Sequence, residues 1–192
     1  MRRLSFLAAL AIAAFSVFAR LVEAGTAVRL DVAGLVDRAD VVMEARVSSA
    51  RAVLGPAHRI DTEYTLVVDR TFYGDALPTR VIRLPGGVLP DGRGMVIAGV
   101  PSLAVGESAI LFLTRADATG MRMPVGLAQG RMRVIADAAG KKSIVSDARE
   151  LELVDARTGV ALRAPAKALL DYASTVAEID ARASQKRAAE RR

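Results

Sequence analysis

Apolar or β-branched residues recur at every second position over residues 60–74, the longest alternating stretch of the chain. Five of them would share one face of a strand: Ile60, Thr62, Tyr64, Leu66 and Val68. The positions between them include Asp61, Glu63 and Thr65, which is typical of a strand with one buried and one solvent-facing side. We therefore predict that residues 60–74 form the central strand of a small antiparallel barrel or sandwich.

Shorter apolar runs on either side predict further strands. They lie at residues 41–53, 80–84, 95–98, 109–113, 121–125, 132–136, 143–146 and 151–155. Segments with Gly or Pro, or with charged residues, separate these runs, as expected of turns. The run 109–113 is apolar at every position, which favours a strand buried on both faces.

Two segments carry signals of helices. Asp31 is a suitable N-cap for a short helix that ends near Asp40. Farther on, Pro165 suits the first turn of a second helix. An apolar stripe follows at steps of three and four residues: Leu169, Tyr172, Val176, Ile179 and Ala183. Beyond Ala183 charged residues replace the stripe, so we expect that end to fray in solvent.

These elements predict a mainly β fold in one domain. We expect a single OB-like antiparallel β-barrel over residues 25–160, which includes a short N-terminal helix, and a C-terminal amphipathic helix with a basic tail over residues 161–192. The chain is 52% hydrophobic but only 4% aromatic, so Val, Leu, Ile and Ala must supply most of the core.

The first 24 residues have the pattern of a secretory signal peptide. Arg2 and Arg3 precede an apolar run over residues 4–19, and Val22 and Ala24 fit the small-residue positions of a cleavage site. The run is shorter than the roughly 20 residues of a membrane-spanning helix. We expect cleavage after Ala24, export to the bacterial periplasm or the medium, and no stable membrane insertion afterwards. The chain has no Cys, which excludes disulfides and a lipid-modified cysteine.

The formal net charge of +6 is unevenly distributed. Residues 1–24 carry +2 and residues 181–192 carry +4, which leaves residues 25–180 neutral. Nucleic-acid binding needs a basic face on the folded domain. We therefore expect no nucleic-acid partner, and we interpret the charged C-terminus as a solvated tail.

Residues for catalysis are scarce. The chain has no Cys and no G-x-S-x-G motif, and its single histidine, His58, follows a Gly-Pro turn where we expect it to face solvent. A Ser–Lys pair would need Lys141, Lys142 or Ser143, in a hairpin too exposed to lower a lysine pKa. We predict a protein that is not an enzyme; an enzyme whose polar cluster forms only in three dimensions remains an alternative.

The segment 85–94 is rich in Gly and Pro and predicts a long exposed loop. Such loops often carry the binding site of a barrel, and we take Pro85, Gly86, Gly87, Asp91 and Arg93 as the candidate binding residues. The glycines match neither the P-loop nor the dinucleotide-binding pattern. We expect no cofactor.

Met121, Met123 and Met132 are weak candidates for a metal site. Thioether ligands suit Cu(I), but no His or Cys accompanies these methionines. We favour their use as gap fillers in a core poor in aromatic residues, so no metal is predicted. A periplasmic carrier of a small ligand or of Cu(I) remains an alternative function.

Several motifs follow one another in the order found in a known family. The motifs are Asp40-Val41-Val42, the alternating strand that ends in Phe72-Tyr73-Gly74, Val100-Pro101, Gly106-Glu107 and Ile110-Leu111-Phe112-Leu113. Over residues 31–136 the chain resembles the netrin-type module, the OB-like barrel of tissue inhibitors of metalloproteinases, as a cysteine-free bacterial relative. The resemblance implies an exported binding or accessory module, with another exported protein, such as a protease, as its partner. The inhibitors chelate the protease metal through an N-terminal cysteine, so their mechanism cannot be carried over to this chain.

Overall fold

The computed structural model describes residues 25–146, 151–155, 157–158, 160–162 and 168–192. The predicted signal peptide and Pro165 lie outside the described residues. The fold is mainly β, with a large antiparallel sheet and two helices.

The described residues contain the predicted helices and most of the predicted strands, together with four strands that were not predicted. The strands are β1 (Gly25–Val28), β2 (Val41–Leu54), β3 (Ile60–Tyr73), β4 (Thr79–Pro85), β5 (Gly87–Val88), β6 (Gly94–Met95), β7 (Ser108–Leu113), β8 (Arg131–Ala136), β9 (Lys142–Ser146), β10 (Leu151–Val154), β11 (Ala161–Leu162) and β12 (Ala168–Asp171). The helices are α1 (Val32–Arg38) and α2 (Tyr172–Glu190). The strands that were not predicted are β1, β5, β11 and β12.

Seven strands form one sheet in the order β12-β9-β8-β7-β2-β3-β4. Strand β7 lies at its centre, whereas β3 lies beside the edge strand β4, so the prediction that residues 60–74 form the central strand is wrong. A parallel β1–β10 pair with β11 forms a second sheet, and β5 and β6 form a two-stranded ribbon.

The sheet does not close into the predicted barrel. Among the described residues no ladder joins its edge strands, β4 and β12. The predicted strand at residues 121–125 is replaced by two single bridges, a parallel one from Met121 to Arg83 of β4 and an antiparallel one from Pro124 to Leu113 of β7. The predicted strand at 95–98 is shortened to the last residue of β6.

Both faces of β7 are buried, as its unbroken apolar run predicts. Ile110 and Phe112 lie in a core that α1 and α2 cover. Leu111 and Leu113 lie in a second core on the opposite face, to which β2, β3, β4 and β7 contribute. Successive side chains of a strand point to opposite faces of the sheet, so β7 supplies apolar side chains to both cores.

The predicted alternation over residues 60–68 of β3 also holds, with one exception. Tyr64 and Leu66 are buried in the second core. Asp61, which the pattern places on the solvent side, has a side-chain exposure of 0%. Arg59 donates two hydrogen bonds to its carboxylate, of 2.6 and 2.9 Å, and this pairing offsets the cost of burying the charge.

Helix α1 begins as predicted, because the Asp31 side chain accepts a 2.7 Å hydrogen bond from the Gly34 amide. Helix α2 begins later than predicted. Leu169, the first member of the apolar stripe, lies in β12 and is 68% exposed, because residues 168–171 pair with β9 instead of joining the helix. Asp171 caps α2 by accepting a hydrogen bond from the Ser174 amide.

The expected fraying beyond Ala183 is wrong. Helix α2 continues to Glu190, and its charged residues contact the rest of the fold. Lys186 donates hydrogen bonds to the main-chain carbonyls of Val36 and Ala39, and Arg187 donates one to that of Phe72. Within the described ranges neither helix has the length and apolarity needed to cross a membrane.

Candidate binding cavity

A cavity of about 680 Å³ lies between β3, β4 and the segment that leads from β4 to β7. Its lining is mostly apolar, with Leu84, Val88, Ile97 and Val100 among the residues on its walls. Arg131 of β8 also lines it. The volume is within the range of about 300–1,000 Å³ that is typical of ligand pockets.

One wall is a flap, which we define as residues 86–99 and which contains β5 and β6. The flap starts directly after β4, where Gly86 contacts residues at the beginning of β3. Thr62 donates a 2.7 Å side-chain hydrogen bond to the Gly86 carbonyl, and the Gly86 amide donates to the Ile60 carbonyl. At Gly87, φ is +141°, and an added Cβ would lie 2.3 Å from the Thr62 hydroxyl oxygen. Glycine therefore permits this close approach.

Three of the apolar residues that line the cavity, all in the flap, are also exposed to solvent. Val96 is 93% exposed, Val88 is 68% exposed and Ile97 is 37% exposed. We call these three residues the rim. Contiguous exposed apolar residues beside a cavity mark binding surfaces more often than isolated ones do.

The predicted binding loop contributes to this site, but only through part of its residues. Pro85, Gly86 and Gly87 line the cavity. Asp91 and Arg93 lie at the exposed tip of the flap and form an ion pair with each other at 2.7 Å. The hydrogen bonds from Arg93 lower the pKa of Asp91, and the same pairing raises the pKa of Arg93. These two charges stabilise the turn and do not line the cavity.

The charged residue of the cavity, Arg131, comes from β8 and was not among the predicted site residues. Arg131 Nη1 donates to the Ser102 carbonyl at 2.8 Å and to Glu107 Oε1 at 3.3 Å. Arg131 Nε is shielded from solvent and has no hydrogen-bond partner among the described residues. Strand β8 pairs with β7 so that Arg131 lies opposite Leu111, on the side of the sheet that faces the second core. Because this proximity depends on strand pairing, no local sequence pattern indicates it.

The methionine candidates do not form a shared site on one strand face. Met132 is buried in the core beneath the helices. Met121 forms the bridge to Arg83 of β4, and Met123 bonds through its amide to Thr114. In the part of the chain that the structure describes, no three His, Cys, Asp or Glu side chains are grouped closely enough to hold a metal ion.

The residues considered for catalysis are also separate from the cavity. His58 lies in an exposed 3₁₀ turn, Pro56–His58. Lys142 donates a 2.9 Å hydrogen bond to the buried carboxylate of Glu44, and this bond raises the pKa of Lys142. A lysine held in its charged form is a poor general base, so this geometry does not suit a Ser–Lys mechanism.

No family model, no curated protein and no solved structure matches this chain.

Proposed function

We propose that this chain is an exported, non-catalytic binding module, and that its cavity takes an apolar segment of a partner protein. The solvent exposure of the rim residues is the observation that supports this proposal. Val96 and Val88 line the cavity but are 93% and 68% exposed, so a small molecule inside the cavity would leave much of their surface in water, whereas a partner chain seated over the cavity would cover it. Export rests on the signal-like pattern of residues 1–24.

An OB-like barrel is part of the proposal. Strands β2, β3, β4 and β7 share the second core, and residues 121–124 bridge β7 to β4. Five segments arranged in this way are similar to the partly open five-stranded barrel of OB folds. The resemblance to the netrin-type module makes an exported protease the first class of partner to test.

A carrier of a small apolar ligand is a second candidate, favoured by the cavity volume of about 680 Å³. Native mass spectrometry of the purified protein separates the two functions. A bound small molecule that survives purification, and that unfolding releases, would favour the carrier.

The binding-module function is tested by affinity capture from the protein's own host, with mass spectrometry of the retained proteins. Val96→Asp places a charge on the rim without disturbing the core, because this side chain is 93% exposed. Leu169→Asp is the matched control, since Leu169 is 68% exposed but lies on the opposite edge strand, β12. We expect Val96→Asp to reduce recovery of the partner at least about tenfold, as a buried unpaired charge would, and Leu169→Asp to leave it unchanged. Equal recovery with both variants would place the binding site elsewhere.

A further inference from the structure

Arg131 lines the cavity and has unused hydrogen-bonding capacity, but its Nε is closed to solvent, so a ligand would reach this atom only after the side chain turns towards the cavity. Arg131 has a side-chain exposure of 15% and uses only Nη1 in its two hydrogen bonds. Its Nε is buried without a partner, and no described residue accepts a hydrogen bond from its Nη2. The unused Nε–Nη2 edge is one of the two sides of a guanidinium that match a carboxylate with parallel hydrogen bonds.

This chain uses the same guanidinium edge for carboxylates at two other places. Arg59 donates from Nε and Nη2 to the two oxygens of Asp61, at 2.6 and 2.9 Å. Arg182 donates from the same two nitrogens to Asp37. At Arg131 the corresponding carboxylate is missing among the described residues, and a buried donor without an acceptor is unfavourable.

A second arginine adds positive charge near the site, although it does not line the cavity. Arg133 lies two residues along β8, opposite Ala109 of β7, and therefore on the same face as Arg131. Its Nε is also buried without a partner in the described part of the chain. Glu107 is the carboxylate paired with Arg131, through one contact of 3.3 Å. Two cations beside one anion favour a negatively charged ligand over a neutral carbonyl.

We propose that Arg131 binds the C-terminal carboxylate of a partner polypeptide whose last residue is apolar, with Arg133 adding to the positive potential. The apolar wall residues and Arg131 line the same cavity, and within a polypeptide only the C-terminal residue carries a carboxylate and a side chain on the same Cα. The rim then covers the residues that precede the C-terminus. This inference rests on the proposed binding function, because it assigns the partner of the same cavity.

The test uses two libraries of N-acetylated pentapeptides of random sequence, one with free C-terminal carboxylates and one with C-terminal amides. Each library is passed over the immobilised protein, and the retained peptides are identified by mass spectrometry. We expect enrichment of free acids with Leu, Ile, Val, Met or Phe as the last residue. The best free acid should bind at least about tenfold more tightly than its amide, as a lost charge-assisted pair predicts.

Variants assign the carboxylate preference to a residue. Arg131→Gln should remove the preference for acids over amides, and Arg131→Lys, which keeps the charge but lacks the planar edge, should reduce it. Arg38→Gln is the matched control, because Arg38 is an exposed residue of α1, which packs on the opposite face of the sheet. It should leave the preference intact. The acid–amide comparison with the unmutated protein stands even if an Arg131 variant fails to fold.

Three outcomes would overturn the inference. Equal enrichment of acids and amides with apolar residues would exclude carboxylate binding and leave the proposed function standing. No enrichment from either library would contradict both. Hexanoate is then added as a competitor of the best peptide. If hexanoate displaces the bound peptide at a concentration similar to that at which the unlabelled peptide does, the ligand is a small organic acid and not a polypeptide.

Discussion

Lys186 of α2 donates a hydrogen bond to the main-chain carbonyl of Ala39, just beyond the end of α1. The same ammonium group donates to the Val36 carbonyl at 3.2 Å and lies 4.0 Å from the centre of the Tyr73 ring. Carbonyls at the end of a helix lack intrahelical donors and carry the negative end of the helix dipole. The charge that follows the apolar stripe of α2 therefore fixes α2 to α1.

Removal of this contact should destabilise the fold. We expect Lys186→Ala to lower the free energy of unfolding by about 1–3 kcal/mol, because it removes charge-assisted hydrogen bonds and a cation–π contact. Lys141→Ala, at an exposed position of a hairpin turn, should change it by less than about 0.5 kcal/mol. Urea unfolding followed by circular dichroism measures both. A similar loss in the two variants would mean that Lys186 has no special role.

The start of α2 depends on a buried carboxylate. Glu44 of β2 is 3% exposed; it accepts a 2.6 Å hydrogen bond from the Tyr172 hydroxyl and a 2.9 Å bond from Lys142. Tyr172→Phe should cost about 1–3 kcal/mol of unfolding free energy, because it removes a donor from a buried charge. In a double-mutant cycle with Lys142→Met the two losses should not be additive, since both donors serve one carboxylate. Strict additivity would contradict this shared role.

The face assignment of β3 gives a matched pair of substitutions. Leu66 is 0% exposed in the second core, so Leu66→Ala should cost about 2–5 kcal/mol of unfolding free energy. Thr65, its neighbour on the other face, is partly exposed, and Thr65→Ala should cost far less. The comparison uses the denaturant concentration at the midpoint of unfolding for each variant, provided that the m value is the same in both. Two small, equal effects would show that Leu66 does not belong to a packed core.

Tyr73 should make stability depend on alkaline pH. Burial and its hydrogen bond to Glu190 raise the pKa of Tyr73 to about 12. A raised pKa means that the folded state favours the protonated phenol. The resulting stability is complete below about pH 10 and is lost as the pH rises towards about 12.

The titration can be followed directly, because the chain has three tyrosines and no tryptophan. The ultraviolet absorbance of tyrosinate should include a step near pH 12 that Tyr73→Phe removes. The stability difference between the unmutated protein and Tyr73→Phe should also narrow above about pH 10. A titration unchanged by the substitution would assign the late step to another tyrosine.

Part of this protein follows from sequence by itself, where the responsible interactions are local. The alternation in β3 predicts the buried side of the strand, and the unbroken run in β7 predicts burial on both faces. Asp31 predicts the start of α1, because a capping side chain acts on an amide three residues away. The glycines and prolines of segment 85–94 predict an exposed loop with turns, of which Pro85, Gly86 and Gly87 line the cavity.

Other features depend on contacts between distant residues, and only the tertiary structure decided them. The strand order puts β7 at the centre of the sheet and leaves the sheet open. This order depends on which strands share a core, and a local sequence pattern does not contain that information. Pairing with β9 takes Leu169 out of the helix. The cavity also depends on distant contacts. Arg131 of β8 and the flap line the same cavity although they are far apart in sequence, so no local sequence pattern could predict that they lie close together.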